Sequence, residues 1–425
     1  MTLSEMLKLR EGEWRPVAWS FLYFFSLLGG YYVLRPVRDE MGIQGGLENL
    51  PWLFTATFAA MLLAVPVYGW AAGRFPRRTL VPVVYGFFIV NLLGFYSAFA
   101  AGVPVAVVAR VFFVWLSVFN LFVVSVFWSF MVDIYSREQS RRLFGVIAVG
   151  GTTGAIAGPA LTAQSAAVLG VFNLLLVSAA MLCVALLAVS RLRQWAGESA
   201  PEQQDGAALS GHWWDGLARV ARSRYLLGVS AYILFYTMVA TFLYFIQAHI
   251  VEDAFSDSAQ RTRVFALIDL ATNSLTVVLQ LFFTSRIVAR FGIAVLLGIV
   301  PVAAVLGFVA LGWAPLLAVI AAVQVVRRAG NYALARPGRE MLYGVLPRID
   351  KYKSKNFIDT VVYRGGDAVS GWAYAAMGAV GLGLAGIAWA AVPVALLWLL
   401  VGVFLGRRYR SLEFESKPAV QTSTS

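Results

Sequence analysis

The chain has 425 residues, of which 60% are hydrophobic and only 13% are charged, and its mean hydropathy is +0.74. This composition excludes an ordinary soluble domain. The formal net charge of +12 would suit a nucleic-acid-binding protein, but the basic residues gather at alternate ends of apolar segments, as in proteins that cross a membrane several times. We therefore expect a lipid bilayer, and no nucleic acid, as the partner.

Twelve apolar segments follow one another, the first at residues 17–34 and the last at residues 384–405. A helix needs about 20 mostly apolar residues to cross the hydrocarbon core. In lipid, only a helix satisfies its own backbone without strand partners. The sequence thus predicts an all-α membrane protein with twelve transmembrane helices.

Basic residues mark the connections on one side of the membrane. They precede the first span, follow the last span and fill every second connection, whereas the opposite connections contain few Lys or Arg residues. Because cytoplasmic loops carry the excess of positive charge, both termini are predicted to be cytoplasmic.

The longest polar stretch between spans, residues 195–222, divides the chain into six spans and six spans. Residues 1–194 are predicted to form an N-terminal six-helix bundle and residues 223–410 a C-terminal one. Residues 195–222 would then be a cytoplasmic linker. Residues 411–425 are polar and are expected to be a disordered tail.

Two pairs of motifs indicate that the halves are related to each other. Arg-Phe dipeptides that begin at Arg74 and Arg290 occupy equivalent cytoplasmic turns after the second and eighth spans. Glycine-rich runs at 150–158 and 365–371 lie in the fifth and eleventh spans. Two pseudo-symmetric six-helix bundles that rock about a central site are the layout of major facilitator transporters.

No pattern in the sequence predicts an enzyme. The glycine-rich run at 150–158 lacks the Gly-Lys-[Ser/Thr] of a phosphate-binding loop, so we interpret it as small-residue packing between helices. We find no nucleophile–base arrangement and no pair of catalytic carboxylates. His212 and His249 lack metal-ligand spacing, and Cys183 is the only cysteine. We expect no catalytic residue, no metal and no cofactor.

Charged residues within or beside the spans are costly in lipid and usually face a cavity. The charges that end the first span permit two interpretations, an interfacial cluster in which Arg38 and Asp39 neutralise each other, or a basic patch at a cavity mouth. Arginine binds phosphate or carboxylate through two parallel hydrogen bonds. The predicted substrate-binding residues are Arg35, Arg38, Arg110, Asp269, Asn273, Asp359 and Arg364.

A second group of charges lies where spans meet the cytoplasm. Opposite charges in these positions could hold a cytoplasmic gate closed or could form static ion pairs in loops, and the sequence leaves both interpretations open. The predicted gate residues are Arg74, Arg77, Asp133, Glu138, Arg339 and Glu340.

Basic residues from Arg327 to Lys355 crowd the connection that follows the tenth span, which is predicted to be cytoplasmic. A distinctive order of residues begins in this connection. It runs Tyr332, then Pro337-x-Arg339-Glu340-Met341-x-Tyr343, then Lys353-x-Lys355-x-x-Ile358-Asp359 and Arg364. This order resembles the ATP/ADP translocases of plastids and intracellular bacteria. Arg35-Pro-Val-Arg38-Asp39 is similar to that family's Arg-x-x-Lys-Asp motif, and Asp269 falls on an Asp of its eighth helix.

The resemblance implies a facilitator-like fold and the exchange of phosphorylated nucleotides by a secondary transporter. The implied partner is a small anionic substrate such as ATP or ADP, and the implied location is the bacterial inner (plasma) membrane. We expect a monomer that exchanges its substrate by alternating access.

The sequence departs from that family at three charged positions. Leu116 and Ala240 stand where the family has acidic residues, and Asp367 stands where it has a Lys. These departures favour a facilitator-type permease for a different solute as the alternative. A non-transporting sensor or assembly protein on the same scaffold is the alternative from another class of protein.

Overall fold

The structure, a computed structural model, describes residues 10, 12–199 and 214–416. These residues form helices and turns, with no strand among them. The first six long helices are α1 Trp14–Gln44, α2 Leu50–Arg74, α3 Arg77–Ala100, α4 Val105–Ile134, α5 Arg137–Leu169 and α6 Asn173–Ser199. The predicted linker is described only in part, because residues 200–213 lie outside the described residues.

The remaining helices are shorter on average and are interrupted more often. They are α7 Trp214–Arg222, α8 Arg224–Ala254, α9 Ser258–Leu279, α10 Ser285–Trp313, α11 Leu317–Gly330, α12 Arg336–Leu342, α13 Arg348–Phe357, α14 Tyr363–Ala379 and α15 Leu384–Ser416. Three π-helical turns join neighbouring helices, at Gln280–Thr284, Asn331–Ala335 and Ile358–Val362. Since α15 runs to Ser416, the first residues of the predicted tail are helical, and residues 417–425 lie outside the described residues.

Nine stretches of the described residues are helical, long and apolar enough to cross a membrane. One of them, Ser258–Trp313, covers both the eighth and the ninth predicted spans. The tenth and eleventh predicted spans correspond to α11 and α14 and fall outside the nine. Helix α11 has 14 residues before a π-helical turn, and α14 has 17 residues. The all-helical, multi-span prediction is confirmed, and the number twelve stays a prediction.

The described residues separate into two compact units. The first takes the described residues within Met1–Ala208 and Val251–Ser274, and the second those within Leu209–Ile250 and Leu275–Ser425. Residues 251–274 are predicted from the sequence to belong to the C-terminal bundle, but in the structure they cluster with the first unit.

Helix α1 is the centre of the first unit and packs most extensively on α5, α6 and α4. The helices approach closely because glycines of α5 face α1. A Cβ atom on Gly150 would lie 2.5 Å from the carbonyl oxygen of Phe21. Helix-to-helix packing, which the sequence predicts for this glycine run, is thus confirmed. An aromatic core surrounds the contact, with the rings of Phe24 and Phe127 stacked 4.0 Å apart.

The start of α5 and the break within α10 have identifiable local causes. Ser136 caps α5, since its hydroxyl accepts from the Gln139 backbone N–H and the Gln139 side chain accepts from the Ser136 N–H. Gly292 has φ +73°, in the left-handed region that favours glycine, and it breaks the helical path within α10. This break lies where the sequence predicts the end of the eighth span.

In the second unit, α10 packs most extensively on α15, and α7 packs on α13. Side chains satisfy the carbonyls that the π-helical turn Asn331–Ala335 leaves without helical partners. The Thr284 hydroxyl donates to the Ala333 carbonyl at 3.0 Å, and the Gln280 side-chain amide donates to the Tyr332 carbonyl at 3.5 Å. These bonds fix the wide turn that follows α11.

Candidate functional site

In the first unit, charged side chains of α1 meet side chains of α9. Arg35 Nη1 lies 3.3 Å from Asp269 Oδ1, and both side chains are mostly buried. Asp269 therefore pairs with an arginine of α1. Its role in substrate binding stays a prediction.

Glu40 and Arg261 form the tightest contact between the same two helices. Arg261 Nε and Nη2 each donate to a different Glu40 carboxylate oxygen, both at 2.8 Å. Glu40 is fully buried. This fork geometry is the strong, charge-assisted form of an arginine–carboxylate pair. The sequence does not predict this pair, because 221 residues separate its members and no local spacing indicates such a contact.

Arg38, two residues before Glu40 in α1, has weaker partners. Its Nη1 is 3.4 Å from Asp39 Oδ1, and its guanidinium lies 3.9 Å from the centroid of the Phe113 ring. A cation over an aromatic face is attracted by the ring quadrupole. Arg38 Nε is buried and has no hydrogen-bond partner in the part of the chain that the structure describes.

The mostly buried charges of α1 and α9 are balanced. We name the group the α1–α9 charge cluster, and its members are Arg35, Arg38, Asp39, Glu40, Arg261 and Asp269. Three arginines face three carboxylates, so their formal charges cancel. The cluster can hold helices together and can exchange partners, but it does not by itself attract an anion.

Two further predicted binding residues of the first unit make backbone contacts. The Asn273 side-chain amide is buried and donates to the Ala155 carbonyl at 2.6 Å. Arg110 is exposed, and its Nε donates to the Gly45 carbonyl at 2.9 Å, directly after α1 ends. The positive charge of Arg110 thus lies at the negative end of the α1 helix dipole, rather than on the charge cluster.

The predicted gate residues Arg74, Asp133 and Glu138 lie at or near the ends of helices α2, α4 and α5. Glu138 pairs with Arg10 at 2.5 Å, and both side chains are about two-thirds exposed (65% and 66%). Arg74 is exposed at the last position of α2, and Asp133 is half-buried near the end of α4. The side chain of Arg77 lies outside the described side chains.

In the second unit, four predicted residues follow the tenth span. Glu340 pairs with Lys355 at 2.5 Å, and Arg364 Nη1 lies 3.5 Å from Asp367 Oδ2 within α14. Asp359 is half-buried in the π-helical turn Ile358–Val362. The remaining one, Arg339, is buried, so Arg339 and Glu340 differ in environment although they are neighbours in sequence.

The second unit buries arginines without burying carboxylates. Arg327, Arg328 and Arg339 are 5%, 8% and 9% exposed. Over the described residues, the buried acidic side chains all lie in the first unit, and they are Glu13, Asp39, Glu40 and Asp269. A buried charge is costly unless a partner compensates it. These three arginines are the buried charged side chains among the described residues of the second unit.

Arg327 is the extreme case among these arginines. Its Nη2 donates to the side-chain oxygen of Gln324 at 2.7 Å, and Gln324 is itself only 2% exposed. In the described part of the chain, Arg327 Nε has no hydrogen-bond partner. Tyr236, Tyr332 and Tyr363 interact electrostatically with the guanidinium, but no carboxylate pairs with it.

The sequence predicts that Arg327 and Arg328 belong to a connection between helices, and this prediction is wrong. They lie in the last turn of α11, and helix continues beyond them into the turn Asn331–Ala335. Basic residues in a cytoplasmic loop and basic residues buried at the end of a helix have the same pattern in the sequence, so charge alone does not distinguish them. The available signal was the spacing Gln324-x-x-Arg327 on an apolar helix, which places both side chains on one face.

The fold and these interior charges define a multi-pass membrane protein of the transporter type. The sequence matches the family model of the Major Facilitator Superfamily over residues 11–335. Since this range exceeds half of the chain, the protein belongs to the Major Facilitator Superfamily. No curated protein matches the sequence significantly.

Solved structures with the same fold cover nearly the whole chain. A POT family transporter in complex with 5-aminolevulinic acid has 11% identity and a TM-score of 0.66, with 94% of this chain and 96% of that chain covered. A mutant of the nucleoside transporter NupG has 12% identity and a TM-score of 0.64, with 94% and 99% covered. A bacterial homolog of the human lysosomal transporter Spinster has 15% identity and a TM-score of 0.60, with 97% and 100% covered. These likenesses establish the fold, and with the family match they make the chain a secondary transporter of the major facilitator type.

Proposed function

We propose that this transporter carries an organic anion, with nucleotides such as ATP and ADP and other phosphorylated metabolites as the leading class. The observation that carries the proposal is the buried charge of Arg327 in the second unit. Arg327 is 5% exposed, and in the described residues its side-chain acceptor is the neutral amide of Gln324. An anionic substrate would supply negative charge to this guanidinium.

The resemblance to the ATP/ADP translocases supports the phosphorylated class. The order Arg339-Glu340 followed by Asp359 and Arg364 is shared with that family, and arginine binds phosphate oxygens in a fork. In this proposal Arg35, Arg38 and Arg364 contact the substrate during its passage. Asp269 and Asp359 position these arginines, and exchange proceeds by alternating access.

The protein would act as a monomer in the bacterial inner membrane, with both termini in the cytoplasm, as the sequence predicts. Two six-helix bundles would carry out the exchange. The predicted gate residues Arg74, Glu138 and Glu340 would then open and close the cytoplasmic side.

One observation favours a second candidate, a permease for an anion without phosphate. Asp367, which replaces a Lys of the resembled family, lies 3.5 Å from Arg364 Nη1 and accepts from the Thr241 hydroxyl at 3.5 Å. This carboxylate lowers the positive charge that a triphosphate requires. A carboxylate substrate needs less positive charge and would fit such a site.

Counterflow in proteoliposomes tests the function. Vesicles loaded with unlabelled ATP, a phosphorylated sugar, a dicarboxylate or the neutral nucleoside adenosine are exposed to the labelled form of the same solute. We expect saturable uptake of at least one anion and loss of that uptake in Arg38→Ala. Arg407→Gln, which changes an exposed arginine of α15, should transport normally. Flux of only neutral or cationic solutes, unaffected by Arg38→Ala, would reject the anion assignment.

A further inference from the structure

The local environment of Arg327 is incomplete without a ligand. A buried guanidinium loses its hydration and requires negative charge and hydrogen-bond acceptors in return. Arg327 is 5% exposed, yet its single side-chain acceptor in the described residues is the neutral amide of Gln324. Its Nε remains without a partner.

Gln324 fixes the direction of this guanidinium. It lies one turn before Arg327 in α11 and accepts from Nη2 at 2.7 Å. This bond holds one terminal nitrogen of the planar guanidinium towards Gln324. The Nε–H is left for a second acceptor.

The helix is irregular directly beyond this pair. The π-helical turn Asn331–Ala335 follows α11, and a second π-helical turn, Ile358–Val362, precedes Tyr363. Single π-helical turns inside helices occur frequently at functional sites. Tyr332 lies in the first of these turns, and Tyr363 directly follows the second. Both tyrosines interact electrostatically with Arg327.

We propose that Arg327, oriented by Gln324, binds an oxyanion of the transported substrate and so determines the preference for anions. The ligand group is a carboxylate or a phosphate, both of which match the guanidinium fork. Arg327 is a specificity-determining residue and Gln324 is a positioning residue. This inference rests on the proposed function and names the side chains that carry it out.

An isosteric substitution tests the inference sharply. Gln324→Glu places a carboxylate where the amide oxygen now accepts from Arg327, so the protein supplies the counter-charge itself. Without added anion, we expect the midpoint of thermal unfolding of the purified protein to rise. Arg327→Met removes the buried charge and should leave that midpoint unchanged or raise it, because well-packed apolar side chains replace buried charges without loss of stability.

Transport by the same variants provides the second readout. With ATP, glucose 6-phosphate and inorganic phosphate as probes, Gln324→Glu and Arg327→Met should each reduce saturable uptake by about tenfold or more, the worth of a hydrogen bond to a charged group. Gln260→Glu makes the same change at an exposed position of α9 and should behave as wild type. Comparing inorganic phosphate with the organic phosphates shows whether the oxyanion alone is recognised.

The outcomes separate the two claims. If wild type transports an anion and Gln324→Glu transports it with unchanged KM, the inference about Arg327 is wrong while the proposed function stands. A lower midpoint of unfolding for Arg327→Met also overturns the inference, since it assigns Arg327 a purely structural role. If wild type transports only neutral solutes, both claims fall.

Discussion

Arg261 donates two hydrogen bonds of 2.8 Å to the Glu40 carboxylate, and both side chains are largely buried. Glu40 belongs to α1 and Arg261 to α9, so the pair ties together helices that are far apart in sequence. Both members belong to the first compact unit. The pair therefore contributes to the stability of that unit in a way that substitutions can measure.

Removing one member of this pair should be far more damaging than removing both. Glu40→Gln leaves Arg261 buried without its counter-charge and should cost about 3–5 kcal/mol of stability, the usual penalty for breaking a buried ion pair. The double variant Glu40→Leu with Arg261→Met should recover most of the loss, because no uncompensated charge remains. Thermal unfolding of wild type, the single variants Glu40→Leu and Arg261→Met and their double variant gives the coupling energy. Strictly additive losses would contradict a direct pairing.

Acid should weaken the contact at the start of α1. Both terminal nitrogens of Arg142 donate to the Glu13 carboxylate at 2.7 Å. Hydrogen bonding by Arg142 is the main cause that lowers the pKa of Glu13 from 4.5 to about 2. Since the pKa is lower in the folded state, the contribution to stability is complete above about pH 4.5 and is lost as the pH falls towards 2.

The measurement is the midpoint of thermal unfolding from pH 6 downwards. Glu13→Gln should lower the midpoint at pH 6 and flatten its dependence on pH. Glu138→Gln is the matched control, because the Glu138–Arg10 pair is exposed and exposed pairs contribute about 0–1 kcal/mol. An equal effect of the two substitutions would argue against a special role for Glu13.

One methyl group added to α5 at its interface with α1 should lower the stability of the protein. A Cβ on Gly150 would meet the Phe21 carbonyl oxygen at 2.5 Å and the Phe21 Cα at 3.0 Å. We expect Gly150→Ala to lose about 1–3 kcal/mol through overpacking. Gly145, in the same helix, has no atom within 4 Å of such a Cβ, so Gly145→Ala should be neutral or slightly stabilising. Equal unfolding midpoints for both variants would contradict the close packing.

Features that depend on composition and local pattern were predictable from the sequence. Hydropathy gave the helical spans, the break at Gly292 falls where the eighth span was expected to end, and the glycines around Gly150 pack between helices as predicted. These features follow from properties of neighbouring residues. They require no knowledge of which helices become neighbours.

Features that depend on tertiary packing were not predictable. The Glu40–Arg261 pair joins positions far apart in the chain, and only the packing of α9 on α1 brings them together. Arg327 looked like part of a basic loop, because positive charge near a span end has the same sequence signature whether it is solvated or buried. Burial distinguishes these cases, and a single sequence does not contain it.

Binding of ADP and adenosine to the purified protein in lipid nanodiscs tests the central claim most directly. The two compounds differ only in the diphosphate, so their affinities isolate the anion. Isothermal titration calorimetry should show ADP binding that Arg327→Met abolishes, with adenosine binding at least about tenfold more weakly, a difference of 1.4 kcal/mol. Equal affinity for adenosine and ADP, unaffected by Arg327→Met, would contradict a site built around a buried arginine.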